Sequence, residues 1–266
     1  MRFYTHTLFI CLILSNQTLF AQAKKYRISR IEDSDTSAYH FAYDAQGRLS
    51  QYEYDSESED EHDVFQYFYN QKSRISHITR SSKGVLLYVC SYIYSNDTLT
   101  KRRVAFFERK FVRDEVFHYN EKGKIDKINY QQSDGDSIVM RFEYNDLGYP
   151  FRRVRLSNDF EKNRFAEITW DTTRRAISPW DILFEGYPMV NVFERPFGTL
   201  PDYPIEHPFK HFISRTRDEL GKLLNTVELT YSDIKTNEQD LITEILLTIQ
   251  YNGKMSYHHQ KYFYEN

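Results

Sequence analysis

The side chains best suited to binding chemistry lie in a proline-rich stretch, residues 178–210. Six of the seven prolines fall between Pro179 and Pro208, interleaved with large aromatic residues. Apolar pockets with a few polar groups are typical ligand sites. The candidate ligand-binding residues are Trp180, Phe184, Tyr187, Phe193, Phe197 and Tyr203. They indicate either a cavity for a small apolar ligand or a hydrophobic plug that closes one end of the fold.

Acidic side chains form a second candidate site, because Ca²⁺ takes carboxylate oxygens as ligands. The acidic run comprises Asp55, Glu57, Glu59, Asp60, Glu61 and Asp63. Its spacing matches no calcium-loop motif and it lacks the central glycine of one, which favours a solvated loop. Asp134-Gly135-Asp136 is typical of a turn. We expect no metal at either place.

Histidines and cysteines give no recognisable catalytic or metal motif. His258 and His259 are adjacent and so face opposite sides of a strand, and with His207 and His211 they show no zinc spacing. Cys90 lies in an apolar run, which favours a buried, inert thiol. The sequence contains no nucleophile elbow, phosphate loop or dinucleotide fingerprint. It therefore predicts no catalytic residue and no cofactor.

The N-terminal residues 1–23 have the pattern of a secretory signal peptide. Arg2 gives a positive start, a mostly apolar stretch runs from Thr7 to Phe20, and Ala21-Gln22-Ala23 suits a signal peptidase. The alternative is a buried N-terminal strand. Cleavage leaves residues 24–266 as a single domain with one cysteine, which suits a secreted, periplasmic or outer-surface protein of a Gram-negative bacterium. The net charge of −3 does not favour nucleic acid.

A repeated sequence motif indicates how the chain that carries these residues is organised. An aromatic-x-aromatic pair, then Asp or Asn, then a turn with Gly, recurs with anchor residues at Tyr43, Tyr69, Tyr94, Tyr119, Tyr144 and Trp170. The steps of 26, 25, 25, 25 and 26 residues predict a repeat architecture. Each unit reads as one hairpin, and later copies occur at Arg217 to Leu223 and at Tyr251 to Lys254.

The predicted fold is therefore all-β, an antiparallel meander of repeated hairpins forming a barrel or strongly curved sheet, with an insertion at 178–210. The turns within units are alike, whereas the connections between units vary. Function is expected at the rim with varied loops.

The phrase Tyr43-Asp44-Ala45-Gln46-Gly47-Arg48-Leu49 resembles the tyrosine-aspartate repeats of Rhs-type bacterial cell-surface proteins. The whole layout resembles a family of uncharacterised secreted proteins of Gram-negative bacteria. This resemblance covers most of residues 39–266 and implies a porin-like β fold. It implies no function and offers no catalytic residue to transfer.

A membrane-spanning barrel is not expected, because charged residues such as Asp126 and Lys127 interrupt the strands and mean hydropathy is −0.68. The sequence favours a non-enzymatic secreted β protein with a binding or structural role, with carbohydrate or an envelope protein as partner. The alternative is a lipocalin-like carrier of a small apolar ligand in the barrel, under the 178–210 insertion. A third alternative is an enzyme with an unrecognised site.

Overall fold

The computed structural model describes residues 27–34, 37–56, 61–96, 98–108, 110–158, 163–173, 176, 209–218 and 220–265. These residues form sixteen β-strands and no helix. The strands are β1 Arg27–Asp33, β2 Ser37–Tyr43, β3 Leu49–Ser56, β4 Glu61–Tyr69, β5 Ile75–Ser82, β6 Val85–Ser95, β7 Thr98–Phe106, β8 Phe111–Tyr119, β9 Ile125–Gln132, β10 Ser137–Tyr144, β11 Pro150–Ser157, β12 Arg164–Trp170, β13 Phe209–Arg217, β14 Leu223–Thr236, β15 Ile242–Tyr251 and β16 Lys254–Glu265.

Every strand pairs antiparallel with its neighbours in the chain, and the sheet closes into a barrel. The closing pair is β1 with β16, in which Ile31 lies opposite Tyr262 and Asp33 opposite Gln260. Closure leaves no unpaired strand edge in this sheet, which removes the template for edge-to-edge aggregation. The prediction of an all-β antiparallel meander is confirmed, and of its two forms the closed barrel is the one observed.

The repeated turns are built by one local device. Asp44 Oδ1 accepts hydrogen bonds of 2.9 Å from the backbone N–H groups of both Gln46 and Arg48, and Gly47 supplies a φ of 78°. Asn70 and Asn120 hold their turns in the same way. A carboxylate or amide that caps its own turn explains why Asp or Asn directly follows every anchor aromatic except Tyr94, which is followed by Ser95.

We call the barrel end that carries turns 44–48, 70–74, 120–124 and 145–149 the tyrosine rim. The end that carries turns 83–84, 133–136, 218–222 and 252–253 is the opposite rim. At the tyrosine rim each anchor side chain, and also Tyr264 near the end of β16, donates a hydrogen bond to a backbone carbonyl at the start of an earlier strand. The pairs are Tyr43–Ile28, Tyr69–Leu49, Tyr94–Ile75, Tyr119–Leu99, Tyr144–Ile125 and Tyr264–Ile242 through the phenol, and Trp170–Pro150 through the indole N–H.

The C-terminal part departs from the simple repeat. The phrase at 217–223 does form the same capped turn around Asp218, but on the opposite rim. The copy on the tyrosine rim is instead the turn capped by Asn237, which lacks glycine and uses Asp240 at a φ of 61°. The predicted Asn-Gly hairpin at Asn252 and Gly253 is present, with both φ angles positive.

The core lies inside the barrel. In β10, Ile138, Met140 and Phe142 are buried, whereas the alternating Arg141 and Glu143 are not. This period of two places one set of side chains in the lumen and the other in solvent. The outward set includes paired charges around the wall, namely Arg30–Glu32, Arg103–Asp114, Arg152–Glu143 and Arg215–Glu167.

Candidate functional site: the barrel interior

The inner wall changes character along its height. Near the tyrosine rim it is aliphatic, since Ile28, Leu49, Ile75, Leu99 and Ile125 are all at most 4% exposed. Towards the opposite rim it carries inward charges. These are Asp63, Arg80, Arg102, Arg113, Glu115 and Arg153. The interior is therefore apolar at one end and ionic further along.

The most buried charges form a group of three around Glu115, which has a fully buried side chain. Arg102 Nε donates to Glu115 Oε2 at 2.7 Å, and Arg113 Nε donates to Glu115 Oε1 at 2.8 Å. Burial disfavours the charged guanidinium of Arg102, but the interactions with Glu115, Cys90 and Tyr92 together outweigh this effect and raise the pKa of Arg102 well above its usual value. The carboxylate thus holds two arginines in place on strands β7 and β8.

A second ion pair joins β4 to β5. Asp63 is 3% exposed and accepts hydrogen bonds from Arg80, at 3.0 Å from Nε and also from Nη2. Burial disfavours the charge of Arg80, yet the hydrogen bond and charge of Asp63 raise its pKa. Sequence reasoning placed Asp63 in a solvated acidic loop. The structure corrects this, because Asp63 lies at an inward-facing position of β4, on the same face of the strand as Phe65 and Tyr67.

Aromatic rings accompany the inner arginines. The guanidinium carbon of Arg80 lies 5.4 Å from the ring centroid of Phe65, that of Arg113 lies 5.6 Å from Tyr130, and that of Arg153 lies 5.3 Å from Phe212. Such distances suit cation–π attraction, which is stronger where water is excluded. Each of these three arginines therefore has an aromatic ring as a neighbour on the inner wall.

Cys90 is a buried free thiol on the same wall. Burial raises the pKa of Cys90, and the nearby positive charge of Arg102 only partly offsets that effect. The expected buried location is confirmed, and a protonated thiol is a poor nucleophile. Burial likewise raises the pKa values of Tyr52, Tyr67 and Tyr92, so that these phenols stay protonated.

Tyr67 differs from the anchor tyrosines. Its side chain is buried, and its hydroxyl has no hydrogen-bond partner in the part of the chain that the structure describes. A buried hydroxyl without a partner costs about 1–3 kcal/mol. Its position in the interior therefore provides a polar group that an enclosed ligand or water could use.

A third cluster of polar side chains lies where β16 pairs with β1 and closes the barrel. Gln260 Nε2 donates to Asp33 Oδ2 at 2.8 Å, His258 Nδ1 lies 3.3 Å from Asp33 Oδ1, and the Tyr262 hydroxyl donates to Gln260 Oε1 at 2.7 Å. His259 points the other way and pairs with Glu244 at 3.3 Å. The two adjacent histidines therefore do lie on opposite faces.

The six predicted ligand-binding aromatics, Trp180, Phe184, Tyr187, Phe193, Phe197 and Tyr203, lie outside the described residues, as do the signal peptide 1–23 and His207. The segment that contains these aromatics lies in the chain between β12, which ends with Trp170 at the tyrosine rim, and β13, which begins with Phe209. Ala176, the last described residue before it, is fully buried in the core cluster.

The two described ends of the acidic run do not converge. Asp55 Oδ1 lies 2.5 Å from His62 Nδ1 on the outer face, whereas Asp63 faces the interior. Across the described ranges, no group of three or more His, Cys, Asp or Glu side chains is placed to hold a metal ion.

Sequence reasoning missed the inner ion pairs. The signal was available in the strand alternation, because Glu115 lies four residues before Tyr119 and so shares its face. Sequence reasoning likewise missed Arg153 as an inward-facing residue. It is 7% exposed inside the barrel, and its neighbour Arg152 pairs with Glu143 outside.

Comparison with solved structures identifies a similar fold. A porin-like protein from Bacteroides uniformis matches with a TM-score of 0.55 and 14% sequence identity, covering 90% of this chain and 96% of that chain. At this identity the similarity concerns the fold alone.

The Tc holotoxin pore of Photorhabdus luminescens matches with a TM-score of 0.19 and 12% identity over 15% of that chain, a score too low to support an argument. No protein-family profile matches the sequence, and no curated protein matches it. The described residues contain no helix long and apolar enough to cross a membrane.

Proposed function

We propose that this chain is a secreted cell-envelope barrel that acts by non-covalent binding or as a structural element, without catalysing a reaction. The observation that carries the proposal is the Arg102–Glu115–Arg113 group, in which one buried carboxylate forms ion pairs with both arginines inside the wall. General acid–base catalysis needs a group whose pKa lies near the working pH. The buried thiol and phenols beside this group instead keep their protons at neutral pH.

The charged residues on the outer face support the proposal that water surrounds the barrel wall. Arg103 and Asp114 are 60% and 55% exposed on outward positions of β7 and β8, and Arg152 and Glu143 are similarly placed on β11 and β10. An arginine or lysine that faces lipid near the bilayer midplane costs about 2–4 kcal/mol. We infer that the wall does not span a bilayer.

The proposed location is the periplasm or the outer surface of a Gram-negative bacterium. The signal-like residues 1–23 and the porin-like fold of the Bacteroides structure support this location. A carbohydrate or an envelope protein is the proposed partner, because exposed aromatic and hydrogen-bonding side chains suit both.

Fractionation of Gram-negative cells that express the full chain tests the location and the water-exposed wall. We expect a product that lacks residues 1–23 and is recovered outside the cytoplasm without detergent. A matched chain with Leu12→Arg and Leu14→Arg in the apolar stretch should stay in the cytoplasm at full length. Recovery only from detergent-solubilised outer membrane would contradict the proposal.

A lipocalin-like carrier is the second candidate, and the unsatisfied hydroxyl of Tyr67 favours it. Pockets for apolar ligands commonly contain a few polar groups that fix ligand orientation. In this proposal Tyr67 plays that role inside the barrel, and the aromatics of 178–210, beginning with Trp180, cover the ligand.

Native mass spectrometry of the barrel purified from its own periplasm tests the carrier. A bound small molecule should appear with the wild-type chain and be reduced in Tyr67→Phe and in Trp180→Ala. Tyr67→Phe should leave thermal stability unchanged or slightly higher, because the removed hydroxyl makes no hydrogen bond. A chain that never retains a small molecule would exclude the carrier.

A further inference from the structure

Exposed apolar side chains are concentrated at the opposite rim. Among the described residues, fifteen large hydrophobic side chains are exposed, and ten of them lie at this rim: Leu156 near the end of β11, and nine on the hairpins β5–β6, β7–β8, β13–β14 and β15–β16. We call these nine the apolar tips. They are Val85, Leu86, Phe107, Leu220, Leu223, Leu224, Tyr251, Met255 and Tyr257. A concentration of this kind on a water-exposed protein marks an interaction surface.

Two of the hairpins are apolar on both faces. Val85 and Leu86 are neighbours on β6, so they point to opposite sides of the sheet, and they are 61% and 43% exposed. At the last hairpin, Tyr251 lies on one face, and Met255 and Tyr257 lie on the other, all at least 50% exposed. A flat protein partner would cover one face of such a hairpin, whereas an interfacial lipid layer surrounds it.

The tips lie on two sides of the barrel. The hairpins β5–β6 and β13–β14 are eight strands apart in a closed barrel of sixteen, which places them across the lumen from each other. Contact with both groups at once requires a broad, nearly planar partner. Among the described residues of the tyrosine rim, five large apolar side chains are exposed, and Leu147 is the most exposed of them, at 64%; the other four are Phe68, Ile93, Phe151 and Phe263.

Lysines accompany the tips. Lys222 lies between Leu220 and Leu223, Lys254 lies between Tyr251 and Met255, and both lysines are exposed. Lys83 occupies the turn before Val85 with a φ of 48°. Lysine beside an apolar tip matches the interfacial region of a membrane, where phosphate head groups lie above the acyl chains.

We propose that the opposite rim docks on a membrane surface that contains anionic phospholipids. The apolar tips enter the interfacial layer, Lys222 and Lys254 contact head-group phosphates, and the barrel wall stays in water. Acidic residues on the same rim oppose the attraction, namely Glu108 beside Phe107, Asp134 and Asp136 in the β9–β10 turn, and Asp218 in the turn that contains Lys222. This surface is independent of any ligand in the lumen and of the proposed cellular location.

An environment-sensitive dye on a single engineered cysteine tests the docking directly. The dye is attached to the purified chain at Met255→Cys or, as the matched control, at Leu147→Cys on the tyrosine rim. Cys90 is buried and does not compete for the label. With vesicles of phosphatidylethanolamine and phosphatidylglycerol, the dye at 255 should shift to the blue and the dye at 147 should not. Equal shifts at both positions, or no shift at either, would overturn the proposal.

Vesicle flotation tests the charge and apolar contributions. Lys222→Glu with Lys254→Glu should lower vesicle partitioning by at least about 25-fold, since each surface lysine contributes about fivefold. Lys72→Glu with Lys122→Glu on the tyrosine rim is the control and should have little effect. Asp134→Asn should increase partitioning, and Met255→Ser with Tyr257→Ser should abolish it.

All these positions are exposed, and unchanged thermal melting confirms that each variant folds. If the chain ignores vesicles and instead forms a dimer that Met255→Ser with Tyr257→Ser dissociates, a second copy covers the tips. That result would refute the lipid proposal.

Discussion

The phenol of Tyr69 donates a hydrogen bond of 2.6 Å to the backbone carbonyl of Leu49, twenty residues earlier in the chain. Arg48, which precedes that carbonyl, places its guanidinium carbon 4.2 Å from the centre of the Tyr69 ring and donates to Asp44 in its own turn at 2.7 Å. One repeat is thereby tied to the next by both its ring and its hydroxyl. The fixed step of the sequence is a consequence of this contact between units.

The anchor hydrogen bond should contribute measurably to stability. Tyr119→Phe removes the 2.7 Å bond to the carbonyl of Leu99, a residue that is 1% exposed. We expect a loss of about 1–2 kcal/mol in the free energy of unfolding, because a carbonyl at a mostly buried site loses its partner. Urea unfolding measures the change. Tyr257→Phe, at a 60% exposed site, is the control, and an equal loss there would contradict the anchoring role.

The anchors and turns could be predicted because they are local. Asp44 caps the five-residue turn 44–48, and Phe41 and Tyr43 lie two residues apart on one strand, so that short sequence patterns specify both. The hydrogen-bond partner of each phenol could not be predicted, since it depends on how neighbouring hairpins align. The pairing of Ile31 with Tyr262 is similarly set by closure over the whole chain.

The ionic part of the interior was harder to predict for another reason. Arg152 and Arg153 are the same residue type and adjacent, yet one lies in solvent and the other is buried. Composition alone indicates surface for both, because charged residues are rarely buried without partners. Strict alternation from the buried Pro150 would turn Arg152 inward, but a β-bulge between Pro150 and Arg152 shifts the register, so that Arg153 faces the interior instead.

Neutralisation of Glu115 should strongly destabilise the protein. Glu115→Gln keeps the shape of the side chain but removes the negative charge between Arg102 and Arg113. Loss of one partner from a buried ion pair typically costs about 3–5 kcal/mol. Thermal and urea unfolding should show a loss of this size. Glu167→Gln, 66% exposed beside Arg215, should change stability by less than about 1 kcal/mol. A similar small change at Glu115 would show that the group is not needed to balance the arginines.

The pairing of His62 with Asp55 predicts a specific pH dependence. The hydrogen bond to Asp55 raises the pKa of His62 above its usual 6.5. A raised pKa in the folded state means that this stabilisation is fully present below 6.5 and is lost as pH rises through the folded pKa. NMR titration of the His62 ring should give the raised value directly.

Other histidines also pair with carboxylates, so the control must isolate one pair. Asp55→Asn removes the charge that raises the pKa of His62 and leaves the pairs at His211 and His259 intact. The difference in unfolding free energy between wild type and Asp55→Asn should therefore shrink as pH increases. A difference that stays constant with pH would contradict the assignment.

Two equivalent turns allow the cost of backbone strain to be measured in both directions. Ser73 and Gly123 occupy the same place in turns capped by Asn70 and Asn120, with φ angles of 59° and 73°. A side chain at such φ is unfavourable, and glycine avoids the strain at some entropic cost. Ser73→Gly should therefore stabilise the protein by about 0.5 kcal/mol. The substitution also removes the exposed hydrogen bond that Arg48 donates to the Ser73 hydroxyl, which reduces this gain.

Gly123→Ser should have the opposite effect, a loss of about 1 kcal/mol. A side-chain carbon added at Gly123 would meet no atom within 4 Å, so the loss would come from the backbone alone. Urea midpoints of the two variants and of their combination measure both terms, which should add because the turns are far apart. If both substitutions shifted stability in the same direction, the two turns would not share one backbone geometry.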